Sequence, residues 1–268
     1  MMLTFEPIWP KVKGSSHKRE YPSRQAFCAW LEKPLGRRLL KIERAELERI
    51  LPGLFGYHLV QLGAVRKGTD LLSSSRIWHQ VVLEAGTWSE VQPPSLLSRV
   101  DTLPFASATV DGIVLPHVLE YEANPHQVLR EVQRVLVPYG TLVVLGFNPW
   151  SFWGLWRLFL WRRGQVPWCG RFYSLSRLRD WLALLGFETV QLRYFLFRPP
   201  LQHPRLMRRL RFFEGVGQRW CPFLAGGYLV VAKKQVMRLN PVDPLWRKEK
   251  GLEIPGLAEP TARERFRD

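Results

Sequence analysis

The chain has 268 residues, 46% of them apolar, and a formal net charge of +16, which suits one folded domain of about 200 residues with extensions rather than two equal domains. Its three scattered cysteines, Cys28, Cys169 and Cys221, are odd in number and show no metal-ligand spacing, which argues against a disulfide scaffold or a metal site and for a reducing compartment. The opening MMLTFEPIWPKVKG has no continuous apolar core, and no apolar run reaches the roughly 18 to 20 residues needed to cross a bilayer, so a cytoplasmic protein is expected.

The charge is unevenly spread. Residues 1–60 hold 11 Lys/Arg and 6 Asp/Glu, residues 61–150 hold 6 and 8, and residues 151–268 hold 22 and 9. The positive excess therefore gathers toward the C-terminus. Clustered Lys and Arg attract RNA, an anionic membrane surface or an acidic substrate, while solubility alone is the plainer explanation. Composition leaves these open.

In chain order, the first 20 or so residues are polar and contain Pro, Gly and Ser, as poorly ordered termini do. Residues 37–51 place Leu40, Leu47, Ile50 and Leu51 on one side of a helix that stops at Pro52-Gly53. Short apolar runs then follow at 58–63, 79–84 (HQVVLE), 110–116 (VDGIVLP) and 141–147 (TLVVLGF). Runs without alternation suit strands covered on both faces of a mostly parallel sheet. Between the last two, Asn124 is a candidate cap and Pro125 suits a first turn. Val128, Leu129, Val132, Val135 and Leu136 form the apolar stripe, and Pro138 and Gly140 stop the helix. Strand, helix and strand in this order predict a βαβ crossover.

The stretch SFWGLWRLFLWRR, 151–163, is apolar nearly all round. Trp153, Trp156 and Leu160 share one helical face, Phe152, Leu155 and Phe159 the adjoining one, and Trp161 points away. Burial, cover over a substrate cavity and a membrane-interface position are its three readings. A helix at 176–185 places Leu178, Trp181, Leu182 and Leu185 on one face and ends at Gly186. Residues 193–213 interleave Arg with aromatics, a pattern that suits RNA or a basic surface arm equally. A late strand is expected within 225–234, and residues 237–268 turn polar and proline-dotted. The organisation is thus an N-terminal extension, 1–54, a domain, 55–236, and a basic tail, 237–268.

The most specific stretch is DTLPFASATVDGIVLPHVLEYEANPHQVLREVQRVLVPYGTLVVLGFN, residues 101–148. Its Leu103-Pro104-Phe105, Asp111, His117-Val118-Leu119-Glu120, helix 128–136 and Pro138-x-Gly140 turn closely resemble the type 11 methyltransferase domain of class I S-adenosylmethionine-dependent methyltransferases, the group that includes quinone-biosynthesis C-methyltransferases. Residues 174–187, a helix ending in Gly186-Phe187, resemble the family's approach to its sixth strand. Residues 146–155 are similar to a small, functionally uncharacterised bacterial branch.

The resemblance implies a Rossmann-like α/β fold, a mostly parallel sheet with helices on both faces. It also implies S-adenosylmethionine as cofactor, a small-molecule methyl acceptor, and Gly63, Glu84, Asp101, Leu103, Pro116 and His117 as the cofactor-binding set. Glu84 stands 21 residues after Gly63, where the family has the acid that accepts the ribose hydroxyls. The family's first-strand acid and three glycines fall on Gln61, Gly63, Val65 and Lys67, so one glycine survives, with Gly68 a position late. The adenine-side acid falls on Arg99, with Asp101 two residues on. Only 18 residues separate Glu84 from Leu103, and Pro93-Pro94 lies between, so the cofactor half should be compressed; TDLLSSSRIW, 69–78, is likewise a poor helix.

His117 has three readings: general base, cofactor or substrate contact, and organiser of its loop. Asn148-Pro149-Trp150 follows the fifth strand, unlike the Asn-Pro-Pro-Tyr of amino-methyltransferases after the fourth, and reads as a turn and cap. Two functions follow. One is methyl transfer to a hydrophobic or anionic acceptor. The other is a catalytically silent module of the same fold that binds RNA, a protein partner or the inner face of the membrane.

Overall fold

The computed structural model describes residues 24–63, 71–84, 95–160, 166–199 and 222–236. The polar N-terminus, Val65, Lys67, Gly68, Pro93-Pro94, Trp161, most of the basic arm, Cys221 and the tail lie outside the described residues. The chain divides into a unit Met1–Val236 and a unit Met237–Asp268, the latter wholly outside them.

Seven strands, β1 His58–Leu62, β2 His79–Glu84, β3 Ser95–Leu97, β4 Val110–Pro116, β5 Leu136–Phe147, β6 Phe187–Phe195 and β7 Gly227–Lys234, form one sheet in the order β3-β2-β1-β4-β5-β7-β6. The pairs from β3 to β5 are parallel, and β7 runs antiparallel to both β5 and β6. The fold is the Rossmann-like α/β sandwich that the resemblance implies. Its apolar runs have a simple cause. Leu59, Val114, Val143 and Leu145 face one core, and Val60, Ile113, Leu142 and Val144 face the other, so successive residues of each strand are buried on opposite faces.

Helices α1 Arg24–Leu31 and α2 Pro34–Leu47 share the first core with Trp153, Trp168 and Phe172, while α3 Pro125–Val135 and α5 Leu175–Leu184 supply the second. Helix α1 was not expected from the sequence. Its eight residues, RQAFCAWL, have no capping signal, and its place depends on Phe27, Trp30 and Leu31 reaching the core. The N-terminal helices thus complete the layer over β1 and β4.

Local expectations are corrected at several points. Asn124 makes no side-chain cap on α3; its backbone carbonyl takes the first helical bonds, from Gln127 and Val128. Leu136 belongs to β5, because the chain from 136 to 140 pairs with the start of β4 through a bulge in which Tyr139 takes φ 63°. Residues 71–78 hold no helix, and the strand squeezed between Glu84 and Leu103 is only Ser95–Leu97. Helix α4, Phe152–Leu160, is split between two environments. Trp153 is buried and its indole N–H donates to the carbonyl of Arg198 at 2.9 Å, whereas Phe152, Leu155 and Trp156 are exposed, as is Trp150 just before them.

Asn148 behaves as the turn residue expected. Its Oδ1 accepts from the N–H of Trp150, its amide donates to the carbonyls of Phe223 and Ala225, and Ser151 Oγ caps α4 by accepting from Gly154 N. At α5, Ser174 is the cap and Gly186, at φ 76°, the stop.

Candidate cofactor site at the central strand ends

In an open α/β sheet the strand order reverses at one point, and ligands gather in the crevice beyond the carboxyl ends of the strands there. Here β1 lies between β2 and β4. The residues ending these three strands are Gly63, Glu84 and Pro116-His117. Four of the six residues implied for the cofactor therefore meet at one edge of the sheet.

Gly63 closes β1 with φ 88°, a left-handed conformation that disfavours a side chain. Its N–H donates to the carbonyl of Leu83 at 2.5 Å, and its own carbonyl accepts from the amide of buried Gln61 at 2.9 Å. Gln61 thus spends its polar end on the turn. Glu84 is 8% exposed at the end of β2.

Arg24, the first residue of α1, is buried over this turn. Its Nη1 donates to the carbonyl of His117 and its Nη2 to that of Pro116, both at 3.1 Å. A Cβ placed on Gly63 would lie 2.0 Å from Arg24 Nη2. The guanidinium therefore rests against the bare face of the glycine.

His117 is itself left-handed, at φ 51°, and 1% exposed. Its Nε2 meets Glu43 Oε1 of α2 at 2.5 Å, and its Nδ1 meets Glu120 Oε1 at 3.2 Å. Glu120 Oε1 also accepts from Phe147 N at 2.9 Å. The ring stacks on Phe147 at 4.1 Å between centroids. Burial pushes the imidazolium down, but the Glu43 and Glu120 carboxylates outweigh it and hold the pKa up to about 9. Protonated, His117 faces the buried carboxylates of Glu43 and Glu120 at once. With both ring nitrogens committed, His117 organises the strand end and ties α2 to it; in this arrangement it has no nitrogen to offer as a base.

Leu103 and Asp101 lie on the approach to β4. Leu103 is held by α3: its N–H donates to Glu131 Oε2 at 3.0 Å and its carbonyl accepts from Arg134 Nη2 at 3.0 Å. Arg134 also reaches the Phe105 carbonyl, so the Leu-Pro-Phe stretch is clamped to the helix. Asp101 is bound by Arg99 through bonds of 2.8 and 2.6 Å, which lower its pKa. Among the described residues no group of acidic, His and Cys side chains could hold a metal.

Arg24, Glu43 and Glu120 were not assigned by sequence reasoning. Glu120 carried a signal, standing three residues after His117. Glu43 and Glu46 did too, since both interrupt the buried stripe Gly36, Leu39, Leu40 and Leu47 of α2. Nothing in the sequence pointed to Arg24.

Residues 74–144 match the family described as a methyltransferase domain. The uncharacterised protein YafS of Escherichia coli (strain K12) is 32% identical over 216 residues, 80% of this chain and 84% of YafS. The chain belongs to the class I S-adenosylmethionine-dependent methyltransferases. A more distant relative, the uncharacterised protein Rv2003c of Mycobacterium tuberculosis, is 28% identical over 184 residues, 65% of this methyltransferase-family chain and 62% of its own length. Two solved structures share the fold. A SAM-dependent methyltransferase from Thermotoga maritima has a TM-score of 0.59 at 19% identity, covering 79% of this chain and 99% of its own. Another from Archaeoglobus fulgidus has a TM-score of 0.52 at 18% identity, covering 74% and 94%. Membership of the family implies S-adenosylmethionine as cofactor, and a glycine turn, two backbone carbonyls and a buried carboxylate at adjoining strand ends suit such a molecule.

Proposed function

We propose that this protein transfers the methyl group of S-adenosylmethionine to a small hydrophobic or anionic acceptor. The observation that carries this reading is the convergence of Gly63, the Pro116 and His117 carbonyls and Glu84 at the switch point of the sheet. Bound S-adenosylmethionine supplies a methyl group already activated on a sulfonium. The chain's work is then to hold, orient and exclude water. With the Arg24 guanidinium moved aside, Gly63 would leave room for the aminoacyl end and the two carbonyls would accept from its ammonium. Glu84 would accept from the ribose hydroxyls. The His117–Glu43–Glu120 cluster keeps the Pro116-His117 carbonyls in place. The positive excess of residues 151–268 favours an anionic acceptor.

Calorimetry with S-adenosylmethionine and its demethylated product tests the reading. Binding of both in the micromolar to millimolar range supports it, and heat-silent titration at millimolar ligand rejects it.

A second reading, a catalytically silent module, is favoured by one observation: both carbonyls and the open face of Gly63 are already engaged by Arg24. Its partner would be an anionic membrane surface at the cytoplasmic face, since Trp150, Phe152, Leu155 and Trp156 present apolar side chains outward. No helix among the described residues is long and apolar enough to span a bilayer, so such contact would be peripheral. RNA binding by residues 193–213 is the alternative use of the basic half.

A further inference from the structure

We infer that Arg24 is a built-in competitor for the cation-accepting end of the cofactor cradle, so that the chain regulates its own access to S-adenosylmethionine. The inference rests on the methyltransferase reading above. Two backbone carbonyls, those of Pro116 and His117, converge on one point beside a glycine that carries no side chain and sits at φ 88°. Carbonyl oxygens only accept, so the point takes a donor, and a cationic one best. The aminoacyl end of S-adenosylmethionine brings an ammonium. The protein itself brings the Arg24 guanidinium, which bonds both carbonyls at 3.1 Å and covers Gly63 so closely that a single added Cβ would overlap it. The two cations cannot occupy the point together.

Electrostatics makes the exchange balanced rather than prohibitive. Glu43, Glu120 and Glu84 are buried around the strand ends, and removing Arg24 with nothing in its place would leave buried negative charge uncompensated. The arriving cofactor restores that compensation, because its ammonium and sulfonium together outweigh its one carboxylate. The anchor of α1 also allows the exchange: Phe27, Trp30 and Leu31 hold the helix in the core, whereas Arg24 stands at its first position. The guanidinium can leave by unwinding one turn. Occupancy by Arg24 raises the apparent dissociation constant by the inverse of the fraction of time it is away.

The test is calorimetric titration of the full chain with S-adenosylmethionine, comparing wild type with Arg24→Met and Arg24→Lys, alongside hydrogen exchange of residues 24–31 in the wild type with and without cofactor. Arg24→Met keeps the apolar stem and removes the cation, so it should bind about tenfold tighter or more, the gain expected if the cradle is open at most a tenth of the time. Arg24→Lys should stay near wild type, and cofactor should speed exchange of the first turn of α1. Affinity unchanged or weakened in Arg24→Met, with wild type binding, overturns the inference and leaves the methyltransferase reading standing. Absence of binding by wild type and both variants overturns that reading and this inference with it. If Arg24→Met does not fold, the wild-type exchange decides: faster exchange on binding supports competition, and slower exchange refutes it.

Discussion

His117 is held between two buried carboxylates, and that arrangement makes stability depend on pH in a defined window. Its pKa rises from an ordinary 6.5 to about 9 in the folded chain, because attraction to Glu43 and Glu120 exceeds the cost of burial. A group whose folded pKa is raised contributes stability that is fully present below the unfolded pKa and is lost as pH climbs through the folded one. The change from 6.5 to about 9 is equivalent to roughly 3 kcal/mol, most of it lost between pH 6 and 9 and the rest just above. Urea unfolding followed by tryptophan fluorescence should show this fall, since Trp30, Trp153 and Trp168 are buried. Burial also raises the Cys28 and Cys169 thiols from 9.0. Their contribution likewise fades on the alkaline side, as pH approaches and passes 9.0, so it touches only the top of the window. In Glu43→Gln one carboxylate is gone and burial gains weight, so the pH 6 to 9 slope should flatten. A wild-type stability that is level over this range, or a Glu43→Gln slope equal to that of wild type, would refute the assignment of charge to this cluster.

Glu84→Ala should weaken S-adenosylmethionine binding by about 1 to 3 kcal/mol in calorimetry, the scale for hydrogen bonds to a charged acceptor; equal affinity removes Glu84 from the site. Gly63→Ala forces a Cβ into the left-handed region and against the Arg24 guanidinium, and should lower unfolding stability by about 1 to 3 kcal/mol. Trp153→Ala should cost about 3 to 5 kcal/mol as a fully buried aromatic. Trp150→Ser with Trp156→Ser should leave stability within about 1 kcal/mol and reduce sedimentation with anionic vesicles; undiminished sedimentation rejects membrane contact by this face.

The fold was legible in the sequence because its signals are local and short-ranged. A strand covered on both faces is apolar at successive positions rather than alternate ones, as in Leu59-Val60, Val81-Val82-Leu83 and Ile113-Val114-Leu115. Pro125 and the stripe from Val128 to Val135 declare a helix by spacing alone. The strand ends follow from those runs, and the resemblance to the methyltransferase family then assigned Gly63, Glu84, Pro116 and His117 to one expected site. The roles of the side chains were less legible. In isolation Trp153 and Trp156 are both tryptophans on an apolar helix, and only packing against Phe147, Trp168 and the Arg198 carbonyl turns one inward and leaves the other out. His117 keeps three readings, base, ligand contact and loop organiser, until Glu43, 74 residues earlier, is brought to its Nε2 and favours the last. Arg24 lies in an eight-residue helix whose position depends on burying Phe27, Trp30 and Leu31. Contacts between residues so far apart in the chain depend on where separate elements dock on the sheet. Neither spacing nor composition encodes that docking, and so the charge cluster and the guanidinium over Gly63 emerge only when the chain is folded.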